Sequence, residues 1–243
     1  MPISQSGCLF IHIPKCAGTS CEVAMGVCGE YPKIGYEPTS TIRNYKTLFG
    51  GGLQHLSVRE VKFYFPSRYR EVRTSFAIVR HPLDRFSSHL AWKHSRFQIR
   101  VFSQSEMREI LDVEIAHLKQ LASTEPAFEN PFMGALYPLE NGSLESFDRH
   151  LLPQLSLICD AGDISVKKIF DFNNITEIER NLFLNGCITS SFERRMEGDL
   201  SAIILSMLRE EERRIIQEIY SEDLLFYRSI SASEAEFRLS SLE

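Results

Sequence analysis

The chain has no surplus of positive charge, no membrane-length apolar run and no cysteine framework, and each absence removes a class of function. Its 243 residues carry 27 Lys and Arg against 32 Asp and Glu, a net charge of −5. A duplex nucleic-acid binder shows a basic footprint, so that partner is disfavoured. A small anionic ligand stays open, because a few cations in one pocket leave the total unmoved. Six cysteines are too sparse for a disulfide scaffold at this length, and Cys8, Cys16, Cys21 and Cys28 contain no C-x-x-C pair, which makes a zinc site a poor reading. Reduced thiols in a cytoplasmic protein are the expectation, unless a targeting segment has been removed. No basic stretch followed by an apolar core opens the sequence, and no run approaches a membrane span. There are no internal repeats and no obvious linker.

What is present is enough apolar residue, 43%, to close one α/β domain over positions 1–243. Apolar runs at Cys8–Ile13, Ser75–Val79 and Lys167–Phe172 read as buried strands. Helices are expected at Thr19–Met25, from Pro82 onward, at Gln104–Ala122, near Thr176–Phe183, and as one long helix over Leu200–Tyr220 whose Glu-Glu-Glu-Arg-Arg segment is a solvated face. Positions 29–52 and 123–146 read as long loops, the second a candidate acceptor lid, and the end after about 230 as loosely held. Strand–helix alternation of this kind predicts a parallel sheet with helices on both faces.

Two segments carry chemistry. In FIHIPKCAGTS (Phe10–Ser20) a lysine, small residues and a Thr-Ser pair stand between a strand and a helix. Backbone N–H groups at a helix start, with Lys15 as a point charge and the hydroxyls of Thr19 and Ser20, make an anion cradle. It is not a Walker A loop, which needs lysine beside the hydroxyl residue; Lys15 comes four residues before Thr19, and magnesium-dependent triphosphate chemistry is disfavoured. In SFAIVRHPLDRFSSHLAW, Arg80 ends a strand, where open α/β sheets place ligands. Ser88 lies two turns into the next helix, and a guanidinium fork with a hydroxyl suits a phosphate monoester. Asp84 and Arg85 read as mainly structural.

The pattern strand–P-K-x-x-[GS]-[ST]-[ST]–helix resembles the 5′-phosphosulfate loop of the sulfotransferases that use 3′-phosphoadenosine 5′-phosphosulfate (PAPS). The wording IHIPKCAGTS looks especially like the carbohydrate sulfotransferases of the heparan sulfate 2-O and chondroitin group and their bacterial relatives. The second segment resembles that family's 3′-phosphate element, R-[ND]-P-x-[DE]-R-x-x-S, with His81 departing from Asn or Asp. The resemblance implies a P-loop-like sheet and sulfuryl transfer to an acceptor hydroxyl on a carbohydrate. It implies PAPS as co-substrate, adenosine 3′,5′-bisphosphate as product, and no metal. Lys15, Cys16, Ala17, Gly18, Thr19, Ser20, Arg80 and Ser88 would hold the nucleotide, with Lys15 also meeting charge on the leaving group.

An alcohol needs a base to attack at neutral pH, and histidine titrates in the right range. Of seven histidines, His55 in GGLQHLSVREV fits the family's G-H-x segment and is the candidate base. His12 is expected inside the first strand, and His94 and His117 on helix surfaces. HLLPQLSLICD resembles an H-x-x-P-Q segment near the acceptor, which marks His150 and Gln154 for acceptor contacts or support of the base. Asn173 stands where the family's F-E-N-L step has Glu, and Tyr220–Tyr227 resembles its closing Y-x-x-D pattern. A P-loop kinase, a silent nucleotide binder and a lectin-like glycan binder are the alternatives.

Overall fold

Leu9, Phe10 and Ile11 form an uninterrupted apolar run, the pattern of a strand covered on both faces. They lie in β1 (Cys8–Ile11), buried throughout. The structure, a computed structural model, describes residues 3–27, 55–95, 103–137, 146–193 and 199–240. Pro14 ends the extended run, and a tight turn leads into α1 (Gly18–Ala24). The expected loop at 29–52 lies outside the described residues.

Ser57 and Glu60 close a reciprocal capping box that starts α2 (Val58–Tyr64), the S-x-x-E arrangement that satisfies two orphan amides. α3 (Pro66–Arg70) leads to β2 (Thr74–Val79), which feeds directly into α4 (Pro82–Ser95). α5 (Gln104–Thr124) is capped by Ser103 with Glu106. Part of the expected 123–146 loop is structured as α6 (Pro126–Glu129) and a 3₁₀ turn at Pro131–Met133; 138–145 lie outside the described residues. α7 (Ser146–Arg149) and α8 (Gln154–Ile158) precede an antiparallel ribbon of β3 (Cys159–Asp160) and β4 (Asp163–Ile164). β5 (Lys168–Asp171) and α9 (Ile175–Leu184) follow.

The main sheet is parallel with order β1-β2-β5, so β2 is central and all three carboxyl ends share one edge. Phe10 pairs in register with Phe76, their rings stacked at 5.0 Å, and Phe170 meets Phe76 edge-on at 6.2 Å. This aromatic row ties the strands together through side chains as well as the ladder. Helices flank the sheet, giving the α/β class that the alternation predicts.

Two expectations change. The stretch Leu200–Tyr220 is two helices, α10 (Asp199–Met207) and α11 (Glu210–Ile219). Arg209 adopts extended backbone between them, and the Glu212 carboxylate accepts its N–H at 2.8 Å. Three glutamates in a first turn favour a helix start through the helix dipole, so the charge run is a boundary. Glu212 is buried and accepts from Arg108 at 2.5 Å and Arg209 at 2.9 Å; that carboxylate is not part of a solvated face. α12 (Ser221–Ser240) then continues past position 230 as helix.

The second change concerns the thiols. Cys8 and Cys187 form a disulfide, with Cα atoms 5.5 Å apart, where reduced thiols are the expectation. The fold brings the start of β1 against the turn after α9, a proximity that 179 residues of separation hide in the sequence. Cys16, Cys21 and Cys159 are free and buried, and Cys28 lies outside the described residues.

Candidate active site

All three strand ends converge on one cavity of about 350 Å³. From β1 comes the Pro14–Ser20 turn. Lys15 and Ala17 both adopt positive φ, 69° and 58°, a left-handed conformation that L-residues take only when the surroundings impose it. Alternating hands at successive residues turns backbone N–H groups toward one concavity. No side chain caps the start of α1, and Gly18, Thr19 and Ser20 line the cavity there. Ser20 Oγ donates to the Glu193 carbonyl at 2.7 Å, which roofs the loop. Gly18 is required by contact: a Cβ there would lie 1.8 Å from Nε2 of His12.

From β2 comes Arg80, whose guanidinium stacks over Phe172 at 4.5 Å and donates to the Lys15 carbonyl at 3.3 Å. Ser88 of α4 lines the same space. Lys15 Nζ sits 5.2 Å from the centroid of Trp92. No ion pair joins Lys15 or Arg80 to a carboxylate among the described residues. Burial, and then the positive charge of Arg80, pull the Lys15 ammonium down to about 8. A half-buried ammonium held beside a second cation is the signature of a site completed by an anion. Phe172, Ile175 and Phe192 make the cavity apolar beyond Arg80.

Imidazoles form another part of the lining, from His12, His55 and His150. His55 Nδ1 donates to the His12 carbonyl at 3.1 Å, a bond that makes Nε2 the proton-accepting nitrogen. Burial, and then His12, hold the His55 imidazole well below its usual range. His150 meets the His55 ring at 4.7 Å and Trp92 at 4.6 Å, and burial followed by His55 lowers its basicity as well. His89, buried behind them, is lowered to about 3, chiefly by burial. These three rings are therefore neutral near pH 7. Arg149 holds the His55 carbonyl at 3.2 Å and is itself paired with the buried Glu60 at 2.9 Å.

Of the residues singled out in the sequence, Lys15, Ala17, Gly18, Thr19, Ser20, Arg80, Ser88, His55 and His150 line this one cavity. Cys16 does not: its buried thiol turns away, toward the Pro14 carbonyl and the Gln154 side chain. Gln154, expected near an acceptor, is buried behind Arg80. Its Oε1 accepts from the Arg80 N–H and its Nε2 donates to the Arg80 carbonyl, both at 2.9 Å. Asp223 in turn accepts from the Gln154 and Leu155 amides at 2.7 and 3.0 Å. Arg85 donates to the carbonyls of His150 and Leu152 at 3.0 and 2.7 Å, as its structural reading requires. His94 and His117 pair with Glu114 and Asp148 on helices.

His12 is a correction, because it lies just past β1 and lines the cavity. Sequence reasoning misses Trp92, Glu60 and Arg149. The S-x-x-E signal at Ser57–Glu60 is available for Glu60; Arg149 and Trp92 carry no comparable pattern. Among the described residues no group of three His, Cys, Asp or Glu side chains is placed to hold a metal ion, and no helix is long and apolar enough to cross a membrane.

At the strand ends of a parallel sheet, two cations without carboxylate partners among the described residues, a hydroxyl-bearing loop and a group of imidazoles form a site suited to an anion. The model of the Sulfotransferase family matches residues 4–228, and the chain belongs to that family; sulfuryl transfer is its class of reaction. No curated protein and no solved structure matched the chain.

Proposed function

We propose that the protein transfers a sulfuryl group from PAPS to the hydroxyl of a carbohydrate, with His55 as general base. The observation that carries this reading is the shared cavity of Lys15 and Arg80, one at the end of β1 and the other at the end of β2. A nucleotide with an anion at each end needs two cationic stations on one sheet edge. The loop Lys15–Ser20 suits the 5′-phosphosulfate, Arg80 with Ser88 suits the 3′-phosphate, and the apolar wall of Phe172, Ile175 and Phe192 suits the adenine. These residues fit PAPS, which when bound supplies the activated sulfuryl group.

The chain's part is binding, charge and proton handling. Nε2 of His55 takes the proton of the acceptor hydroxyl as its oxygen bonds to sulfur, a contribution of roughly 10²–10⁴-fold. Lys15 meets the charge that grows on the bridging oxygen as adenosine 3′,5′-bisphosphate departs. The carbohydrate acceptor rests on the resemblance of the Phe10–Ser20 and Gly51–Val61 segments.

Purified protein should gain thermal stability with adenosine 3′,5′-bisphosphate and not with ATP plus magnesium. A ligand at a hundred times its dissociation constant adds about 2.7 kcal/mol, roughly 5–10 °C for a chain this size. Equal response to both would overturn the nucleotide reading. Labelled sulfate from PAPS, offered across a glycan panel, should reach a sugar in the wild type. His55→Ala should lose turnover while keeping nucleotide affinity; full activity in that variant would remove His55 as the base.

A further inference from the structure

Glu22 of α1 is 2% exposed, and its Oε1 accepts from Nδ1 of His12 at 2.5 Å. A carboxylate this deep is costly unless paired, and His12, 4% exposed, is that partner. The bond fixes the imidazole: Nδ1 faces Glu22, and Nε2 faces the backbone of Gly18, where an added Cβ would be 1.8 Å away. The same residue meets His55 twice. Its carbonyl accepts the His55 Nδ1–H at 3.1 Å, and its ring meets the His55 ring edge-on at 4.4 Å. His12 therefore stands between the anion loop and His55 and is in contact with both. Among the described residues, Lys15, Arg149 and His150 are further charged or titratable groups around His55.

We propose that His12, clamped by Glu22, is a positioning residue for His55. Its carbonyl keeps His55 in the Nδ1–H tautomer, and its ring, held by Glu22, fixes the position of the His55 ring beside the Lys15–Ser20 loop. The inference rests on the histidine-base reading. A general base contributes roughly 10²–10⁴-fold, and loss of the group that orients it forfeits part of that factor.

His12→Asn is the informative variant, because an asparagine Nδ2 can still donate to Glu22 while the ring edge against His55 is gone. The expected result is a kcat about tenfold or more below wild type, a part of the base's contribution. The dissociation constant for adenosine 3′,5′-bisphosphate should stay within about threefold, and the His55 imidazole signals should shift and broaden as the ring loses its edge contact, while the backbone carbonyl of residue 12 keeps the Nδ1–H tautomer. Unchanged kcat, His55 imidazole signals identical to wild type, or an affinity loss as large as the kcat loss would each overturn the proposal. His55→Ala, assayed in parallel, separates the two ideas. If it loses turnover and His12→Asn does not, the positioning role fails alone; if it keeps turnover, the base reading has failed and takes this role with it.

Discussion

Lys15 is the residue in which the site's electrostatics are concentrated. Burial and the neighbouring Arg80 guanidinium bring its ammonium to about 8, so the protein without nucleotide holds the cation against its own surroundings. An anion favours the protonated form, so the Lys15 pKa rises in the complex. The sign follows: affinity for adenosine 3′,5′-bisphosphate is level below about pH 8 and falls above it, by at most about tenfold per pH unit, because one proton is linked. Lys15→Arg, whose charge persists at all these pH values, should remove the alkaline fall even if its different shape weakens binding overall. Titration calorimetry from pH 7 to 9.5 reads this, and a flat wild-type profile would show that Lys15 does not face the anion. Lysine, arginine and serine were legible in the sequence because each sits at a strand-to-helix step, where ligands of open sheets gather. The His12–Glu22 pair was not. It links a strand end to a helix interior ten positions on, a spacing with no helical or strand period, and only the packing of Gly18 against the ring brings it about.

Elements, in turn, place Arg80. β2 delivers its backbone to the sheet edge, but the two hydrogen bonds from Gln154 fix it there, and Asp223 of α12 fixes Gln154 by accepting the first amides of α8. On the proposed nucleotide reading, Gln154 acts through Arg80. Gln154→Leu should leave the Arg80 N–H and carbonyl unpaired, at about 1–3 kcal/mol for a buried group, and raise KM for PAPS roughly tenfold while KM for the acceptor stays put. The reverse split would restore the acceptor-side role that the H-x-x-P-Q resemblance implies. Strand and helix positions for β1, β2, β5, α5 and α9 were readable because apolar periodicity sets them. The break between α10 and α11 was not, because periodicity does not decide it. The stripe of Leu200, Ile204, Leu208, Ile215 and Ile219 runs on across the boundary, and the three glutamates with the Arg209 cap divide the helix on electrostatic grounds.

At the scale of the whole molecule, a parallel sheet was implied by alternation, whereas its order β1-β2-β5 and the closure of the chain by Cys8–Cys187 were invisible, since no local spacing records which strands adjoin or a contact 179 residues apart. That closure bears on the site. Cys8 begins the strand that ends at the anion loop, and Cys187 begins the segment that returns over α1: the Thr189 N–H donates to the Ala24 carbonyl at 2.8 Å, Phe192 lines the cavity, and the Glu193 carbonyl accepts from Ser20. The disulfide therefore anchors one end of the cavity roof. Among the described residues Cys8 and Cys187 are bonded and Cys16, Cys21 and Cys159 are free, so in denaturant without reductant the latter three should be alkylated and the bonded pair should not; labelling of Cys8 and Cys187 would mean that the bond does not form in the isolated protein, as reducing surroundings would favour. Reduction should cost about 2–4 kcal/mol, roughly 5–15 °C in Tm. Because the roof is released along with it, the dissociation constant for adenosine 3′,5′-bisphosphate should rise on reduction, and Cys187→Ser should reproduce both changes. A reduced protein that loses stability but binds nucleotide as before would confine the disulfide to holding the fold, with no hold on the 187–193 segment over the loop.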